Sequence, residues 1–534
     1  MKKKNWLFLA SVFLLGGIAA LLWKIEMQKS IGAALLTAKR QQTLEQTLDF
    51  SGNLEFQLLY KNTEVPYDCE EAVYYLPQIA EKNWKLDTLF SLTEEDLRLY
   101  WCEDDYWEKQ EQAIAEGHEF SFLVTDGTKA SRGTIVFTGL PMISLETETT
   151  LGETNDYCKV TVLDPFHSSG NRYEITRCYG MMNLRGRTSK SFPKKGWELN
   201  LVQENGEPYQ TKLFGLREDD DWKLNALYPD ATKVREKICF DLWNELAEKT
   251  ESPYDAGTRM EYFELVWNGE YLGLYGAMEQ IDYKQLSLEK EEDVLYKAYA
   301  WPLESYPDLY APEKEEYGHL IKEADREITD DLWVPLQEYV RAANFASENE
   351  TWTAEIFYDY LQEHMNLDNF LNLELYIQSL YAYDNKYKNL YIAADLREDE
   401  GYTLWRIPWD LNYSFGDRFS VENKALTTYQ LEWAYELMPQ FMMSETLLQS
   451  GNEEFAQLLN EKWAELTSGV FGVENVQKIA EENMKLLTSS GAFERDAKRW
   501  PEGPHDTSLA EILEFHSCRQ NFLSEHYQSY LNEK

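Results

Sequence analysis

Histidine is scarce in this 534-residue sequence: there are seven, and none stands in the H-x-x-x-H or H-E-x-x-H spacing that points two imidazoles at one zinc ion. A zinc hydrolase is excluded on that ground. No G-x-S-x-G elbow occurs, which removes the nucleophile turn of a serine hydrolase. Neither G-x-G-x-x-G nor a Walker pattern is present, so glycine backbone does not cradle phosphates here. The six cysteines, Cys69, Cys102, Cys158, Cys178, Cys239 and Cys518, form no C-x-x-C pair and do not read as a metal site. Cys69 with Cys102 and Cys158 with Cys178 are the locally plausible disulfides, with free buried thiols as the equal alternative. Positive charge is also short, 51 Lys and Arg against 94 Asp and Glu for a net charge of −43, which excludes nucleic acid as a partner by simple repulsion.

Apolar and aromatic residues are abundant. With 43% hydrophobic residues, 17 Trp and 35 Tyr, the chain can fill the two or three cores expected at this length, and global disorder is ruled out. Residues 1–24 hold an almost uninterrupted apolar run from Asn5 to Trp23, preceded by Lys2, Lys3 and Lys4. Such a run spans a hydrocarbon core of about 30 Å as a helix. The lysines favour a cytoplasmic N-terminus, hence a single-pass signal anchor in the cell membrane with the C-terminal body outside the cytoplasm. No clear cleavage site adjoins the end of the run, and a cleaved signal peptide is the less favoured reading.

Residues 25–50 read as a helical, polar stalk, and 51–150 as a small β-rich, sandwich-like domain of short alternating runs. Its cluster of Tyr100, Trp101, Tyr106 and Trp107 is read as core rather than as a sugar platform. From 151 to 424 the pattern predicts strands at Cys158–Leu163, Arg172–Tyr179 and Trp197–Val202, then a helix over 231–248 with Asp230 as N-cap. An Asn268-Gly269 hairpin follows, joining Tyr262–Trp267 to Tyr271–Ala277. In the acidic stretch 284–365, Trp301, Trp333 and Trp352 are expected to pack helices. A long amphipathic helix marked by Phe370, Leu373, Ile377 and Leu380 then runs into Asp384, and a hairpin of Asn389–Ala394 and Tyr402–Ile407 delivers Asp410. Residues 425–534 are mostly helical by periodicity.

Phosphoryl transfer needs a carboxylate for the acceptor proton, and an Asn and a second carboxylate to hold metal against phosphates. Asp384 and Asn389 stand in Asp-x4-Asn spacing after a helix, and the hairpin returns Asp410 beside them. Upstream, Arg185, Arg187, Lys190, Lys194 and Lys195 make a compact basic island in an acidic chain, suited to an anion.

These residues sit inside a larger set. Leu184-Arg185-Gly186-Arg187-Thr188-Ser189 with Phe192-Pro193-Lys194-Lys195, Trp222-Lys223-Leu224-Asn225-Ala226, Val234-Arg235, Asn268-Gly269-Glu270-Tyr271-Leu272-Gly273-Leu274-Tyr275, Glu279-Gln280-Ile281-Asp282, and Ile407-Pro408-Trp409-Asp410-Leu411 with Phe415-Gly416 together resemble the CotH family over about 175–417. That family comprises spore-coat and surface proteins with an atypical protein-kinase fold. The resemblance implies an α+β, kinase-like fold of CotH type, preceded here by the transmembrane anchor and the small β-rich domain. It also implies an ATP-dependent kinase requiring Mg (or Mn) that phosphorylates Ser or Thr of a protein substrate at the cell surface or coat. On matching positions Asp384 is the catalytic acid/base, Asp410 and Asn389 hold the metal, Lys195 or Lys194 with Arg185 touch nucleotide phosphates, and Glu279 lies at the hinge. One departure stands out: Asn412 replaces the second Asp of the family's Trp-Asp-Leu-Asp, and Asn brings an oxygen ligand without its charge. The competing readings are an inactive kinase-like scaffold, AMP transfer on the same site, and a glycoside hydrolase using paired carboxylates, which leaves the basic island unexplained.

Overall fold

The computed structural model describes residues 35–52, 54–78, 89–148, 156–165, 174–186, 188–250, 257–289, 291–298, 319–322, 327, 329–344, 353–385, 388–397, 401–419, 427–438 and 443–532. The chain is α+β. The apolar run Asn5–Trp23 lies outside the described residues, as do Arg187, Trp301 and Trp352. Among the described residues no helix is long and apolar enough to cross a membrane.

A closed seven-stranded barrel forms the centre, in the order Asp156–Asp164, Glu174–Leu184, Trp197–Val202, Asp221–Asn225, Glu270–Met278, Met260–Trp267, Met142–Thr147. The last two pair in parallel and close the ring, all other neighbours being antiparallel. Strand Met142–Thr147 thus belongs to the barrel although it precedes the expected break at residue 150. Alternate residues point inward, and Leu145, Val160, Leu199, Trp222, Leu224, Phe263 and Leu265 fill the interior, so the barrel is a packed core and not a pore. The Asn-Gly hairpin forms as expected: Trp267 faces Glu270, and Asn268 and Gly269 take φ of 49° and 73°, the pair of left-handed residues that a two-residue primed turn demands.

N-terminal to the barrel, a five-stranded sheet (Tyr67–Asp68, Val73–Pro77, Ala130–Thr138, Glu119–Thr125, Arg98–Trp101) and a three-stranded one share one core, in which Trp101 packs edge-on against Phe90, Trp107 and Phe122. Tyr75 stacks on Tyr271 of the barrel at 4.7 Å, which joins the two bodies. Residues 35–50 do not stand off as a stalk. The Leu36 N–H donates to Trp101 O, the Glu103 N–H to Leu36 O, and Asp49 exchanges two backbone hydrogen bonds with the 128–130 turn, so this segment is stitched onto the sheet.

All six cysteines are free thiols, which overturns both candidate disulfides. The register shows why for one pair: Cys158 sits opposite Gly180 and Cys178 opposite Val160. The two are diagonal neighbours, about 7–8 Å apart, beyond the span of a disulfide.

C-terminal to the barrel, helix Arg235–Thr250 leads toward a four-stranded antiparallel sheet, His319–Ile321, Val294–Ala298, Leu390–Arg397 and Gly401–Pro408. Trp333 packs on Tyr296 of that sheet. Asp230 caps the Arg235–Thr250 helix from five residues away, accepting from the Arg235 N–H at 2.8 Å, so the helix begins later than the periodicity predicts. Helix Leu367–Leu380, expected to be amphipathic, is buried on every side from Asn369 to Leu380. Two of its polar residues are held by one arginine: Glu374 pairs with Arg406 at 2.9 Å and Asn369 exchanges hydrogen bonds with the Arg406 backbone. Helices Glu453–Ser468, Val473–Ser489, Ala492–Arg499 and Ala510–Asn532 complete this half. Ala492–Arg499 fastens onto the barrel, with Arg495 held by both oxygens of the fully buried Glu264 at 2.8 Å and Arg499 bonded to Glu270.

Arg495→Met leaves the Glu264 carboxylate buried without its cation, and an uncompensated buried charge costs about 3–5 kcal/mol. Urea unfolding of the variant is expected to show a loss of that order, whereas a loss under 1 kcal/mol would mean that water reaches Glu264.

Candidate active site

Between the open end of the barrel and the four-stranded sheet lies a cavity of about 560 Å³. Barrel strands contribute Glu198, Lys223 and Asn225 to its wall, the loop after strand Glu174–Leu184 gives Arg185, helix Arg235–Thr250 gives Glu236, and the sheet gives Lys297. Opposite stand Asp384, Lys388, Asn389, Trp409, Asp410, Asn412 and Tyr413.

The sequence-predicted triad is brought together by a residue that pattern reading passed over. Asn385 is fully buried, and its side-chain amide donates to Asn389 O at 3.1 Å and Trp409 O at 2.7 Å, while the Trp409 N–H donates to Asn389 O at 2.8 Å. These bonds tie the loop after helix Leu367–Leu380 to the end of strand Gly401–Pro408. Asn389 and Asp410 both adopt left-handed backbone, φ 58° and 57°. Non-glycine residues held there carry strain that the surroundings must impose, a feature concentrated at functional sites. Within the triad, Lys388 pairs with Asp384 at 2.7 Å and the Asn389 amide donates to the same carboxylate oxygen at 3.3 Å, which fixes its orientation.

Asp410 has no hydrogen-bond donor among the described residues, so both its oxygens are available to a ligand. Burial raises its proton affinity, and Asp384 adds to that, against the pull of Arg185, Lys388 and Lys297. Beside it Glu236, fixed by the Asn225 amide at 2.6 Å and the Leu411 N–H at 3.2 Å, is pushed up to about 8 by burial and then by Asp410. Carboxylates crowded until one holds a proton are relieved by a bound cation. Two carboxylates and an amide suit a hard, oxygen-seeking ion such as Mg that keeps several of its waters. Among the described residues no cluster of three or more His, Cys, Asp or Glu forms a fuller metal cage.

The cavity is also rich in cations. Arg185, Lys194, Lys223, Lys297, Lys322 and Lys388 all line it, in an acidic protein. Arg185 lies over the Trp409 ring at 5.3 Å, and Lys297 over the Tyr391 and Trp409 rings at 5.2 and 5.5 Å, neither with a carboxylate partner among the described residues. Burial, then the cations Lys322, Arg185 and Lys223, lower Lys297 to about 8. Lys194, Lys223 and Lys388 are paired with Asp496, Glu198 and Asp384, so Arg185 and Lys297, unpaired among the described residues, are the cations open to an anion.

Three predicted phosphate or hinge contacts are placed differently. Lys194 touches the wall, but its ammonium is buried in an ion pair with Asp496 at 2.6 Å and also donates to Leu274 O, so it is committed elsewhere. Lys195 does not line the cavity; its ammonium caps Lys190 O and Phe192 O at 2.8 and 2.5 Å. The Glu279 carboxylate accepts from the Arg217 N–H at 2.7 Å, and it is the next residue, Gln280, that reaches the cavity. Arg185 lines the cavity. Lys223 was legible only as part of a motif, and Lys297 carried a signal that went unused, a lysine between the buried Tyr296 and Ala298 of an apolar strand.

A family model described as CotH kinase protein matches residues 182–523. The chain belongs to the CotH family. The match runs past the motif-bearing stretch through helices Glu453–Ser468, Val473–Ser489 and Ala492–Arg499 and into Ala510–Asn532, so the CotH region includes Asp496. A comparison with curated proteins returned no match.

Lys297 supplies a pH-dependent test. Its folded proton affinity is below that of an unfolded lysine, so its charge destabilises the unliganded CotH fold below about pH 8, and that penalty fades as pH rises from about 8 toward the unfolded value near 10.5. Lys297→Met is therefore expected to raise the unliganded Tm at pH 7, by a stability on the order of 1 kcal/mol, with the gain shrinking by pH 10. A variant that loses Tm at pH 7 would show that Lys297 has a hidden partner.

Proposed function

We propose that this CotH protein is an ATP-dependent phosphotransferase that acts outside the cytoplasm from a membrane anchor and transfers the γ-phosphate to Ser or Thr of a surface or coat protein. The observation that carries the reading is the single cavity in which Asp384, Asn389 and Asp410 face Arg185, Lys223 and Lys297. Asp384, oriented by Lys388 and Asn389, is placed to accept the proton of an acceptor hydroxyl. Asp410 and Asn389 are the residues that hold Mg or Mn, which when bound neutralises the charge that builds on the phosphates. Arg185, as the resemblance implies, and Lys297, in place of Lys194 and Lys195, meet the phosphates.

One observation favours an inactive scaffold instead. Asn412 lines the cavity where the family resemblance calls for a second aspartate, so the cation faces one negative charge fewer. Labelled γ-phosphate transfer by the full-length protein with Mg or Mn, scored on a generic acceptor and on itself, separates the two. The wild type is expected to transfer label, and Asp384→Ala and Asp410→Ala to fall by a factor on the order of 10³, since positioning and charge stabilisation carry most of this chemistry. Equal silence of all three, with no shift of Tm by ATP, would leave the scaffold reading standing.

A further inference from the structure

Two loops form the wall of the cavity on its barrel side. Residues 185–196 bring Arg185, Gly186 and Phe192 to it, and residues 226–233 bring Tyr228, Pro229 and Asp230. Phe192 and Tyr228 lie against each other, ring centroids 5.6 Å apart. Behind both loops runs the segment 492–506, none of whose residues lines the cavity.

That segment converges on one carboxylate. Asp496 is 1% exposed at its side chain and pairs at 2.6 Å with Lys194, itself 0% exposed. The same oxygen accepts from the Leu274 N–H at 2.9 Å, in the strand Glu270–Met278. Its other oxygen meets His505 Nε2 at 3.3 Å, and His505 Nδ1 is 3.1 Å from Gly503 O. The turn thus formed reaches the second loop: Lys233 donates to Pro504 O at 3.0 Å and to Tyr228 O at 3.3 Å, and the Asp506 N–H donates to Ala231 O at 2.9 Å. Access to this hub is reserved by Gly273, whose φ is +90° and where a Cβ would collide with the Asp496 carboxylate.

We propose that Asp496 is a positioning residue for the nucleotide site: by gripping Lys194 directly and Lys233 through the His505 turn, it sets the two loops that carry Arg185, Phe192 and Tyr228 to the cavity. Asp496 touches no ligand itself. Its effect on nucleotide rests on the phosphotransferase reading, whereas its grip on the loops does not. A chain of packed, hydrogen-bonded groups with one buried charge at its centre transmits displacement because neither end can move without stranding that charge.

The test uses the full-length protein with Asp496→Asn, and the double variant Lys194→Met/Asp496→Leu, which removes both charges together and so keeps a compact core if the single variant folds poorly. Hydrogen exchange in the absence of nucleotide is expected to quicken in 185–196 and 226–233 in both variants, and to stay unchanged in the hairpin Leu390–Pro408. ATP affinity with Mg is expected to fall on the order of tenfold or more, as a rise in KM, with kcat at saturating ATP within about threefold, since Asp384 is held from elsewhere. Faster exchange that includes the Leu390–Pro408 hairpin, or folded variants that exchange and bind ATP like the wild type, would overturn the proposal. A wild type that binds no ATP while the loops still loosen selectively in the variants would overturn the phosphotransferase reading and leave the positioning role of Asp496 in place.

Discussion

Charges taken out of water must find partners within hydrogen-bonding reach, and that constraint organises this molecule from barrel to cavity. Glu264 with Arg495, Lys194 with Asp496, and Glu374 with Arg406 are three ion pairs with side chains at most 9% exposed. The first two join the barrel to helix Ala492–Arg499; the third joins helix Leu367–Leu380 to strand Gly401–Pro408. Replacing such pairs with apolar residues is often harmless, but breaking one is not, so their effect is to forbid partial solutions. The barrel and the helices meet in one relative placement, and the cavity is the gap that placement leaves.

Within the cavity the same constraint is left open. Among the described residues Arg185 and Lys297 have no carboxylate, Asp410 has no donor, and Glu236 and Asp410 crowd each other. Anion seekers and cation seekers thus line one cavity. A polyphosphate with a divalent cation answers both at once. Strain at Asn389 and Asp410 belongs to the same economy, since two left-handed residues are tolerated where Asn385 pins the backbone from between them.

Much of the local structure was legible in the sequence because the determinants are local. Trp197–Val202 alternates with the period of a half-buried strand, and Asn268-Gly269 offers the two positive φ values that a tight hairpin needs. The motifs from Leu184-Arg185-Gly186-Arg187 to Ile407-Pro408-Trp409-Asp410-Leu411, by their resemblance to the CotH family, made the family legible, and the family model bears it out. The stalk and the disulfides failed for the complementary reason: a helix's sequence does not say what its flanks bond to, and thiol spacing does not give sheet register.

The sequence by itself determined the element types, the acid and amide residues of the site, and membership of the CotH family, because periodicity, turn chemistry and motif are properties of neighbours in the chain. Only the tertiary structure decided which cations face those acids. Lys194 and Lys195 looked equivalent to Arg185 as members of one basic island, yet Lys194 turns to Asp496, which lies 302 residues away, and Lys195 caps its own loop. Lys297, from a strand remote in sequence, lines the cavity with no carboxylate partner among the described residues. A charge's partner is set by which groups share its desolvated volume, and that volume exists only once barrel, sheet and helices have closed around it.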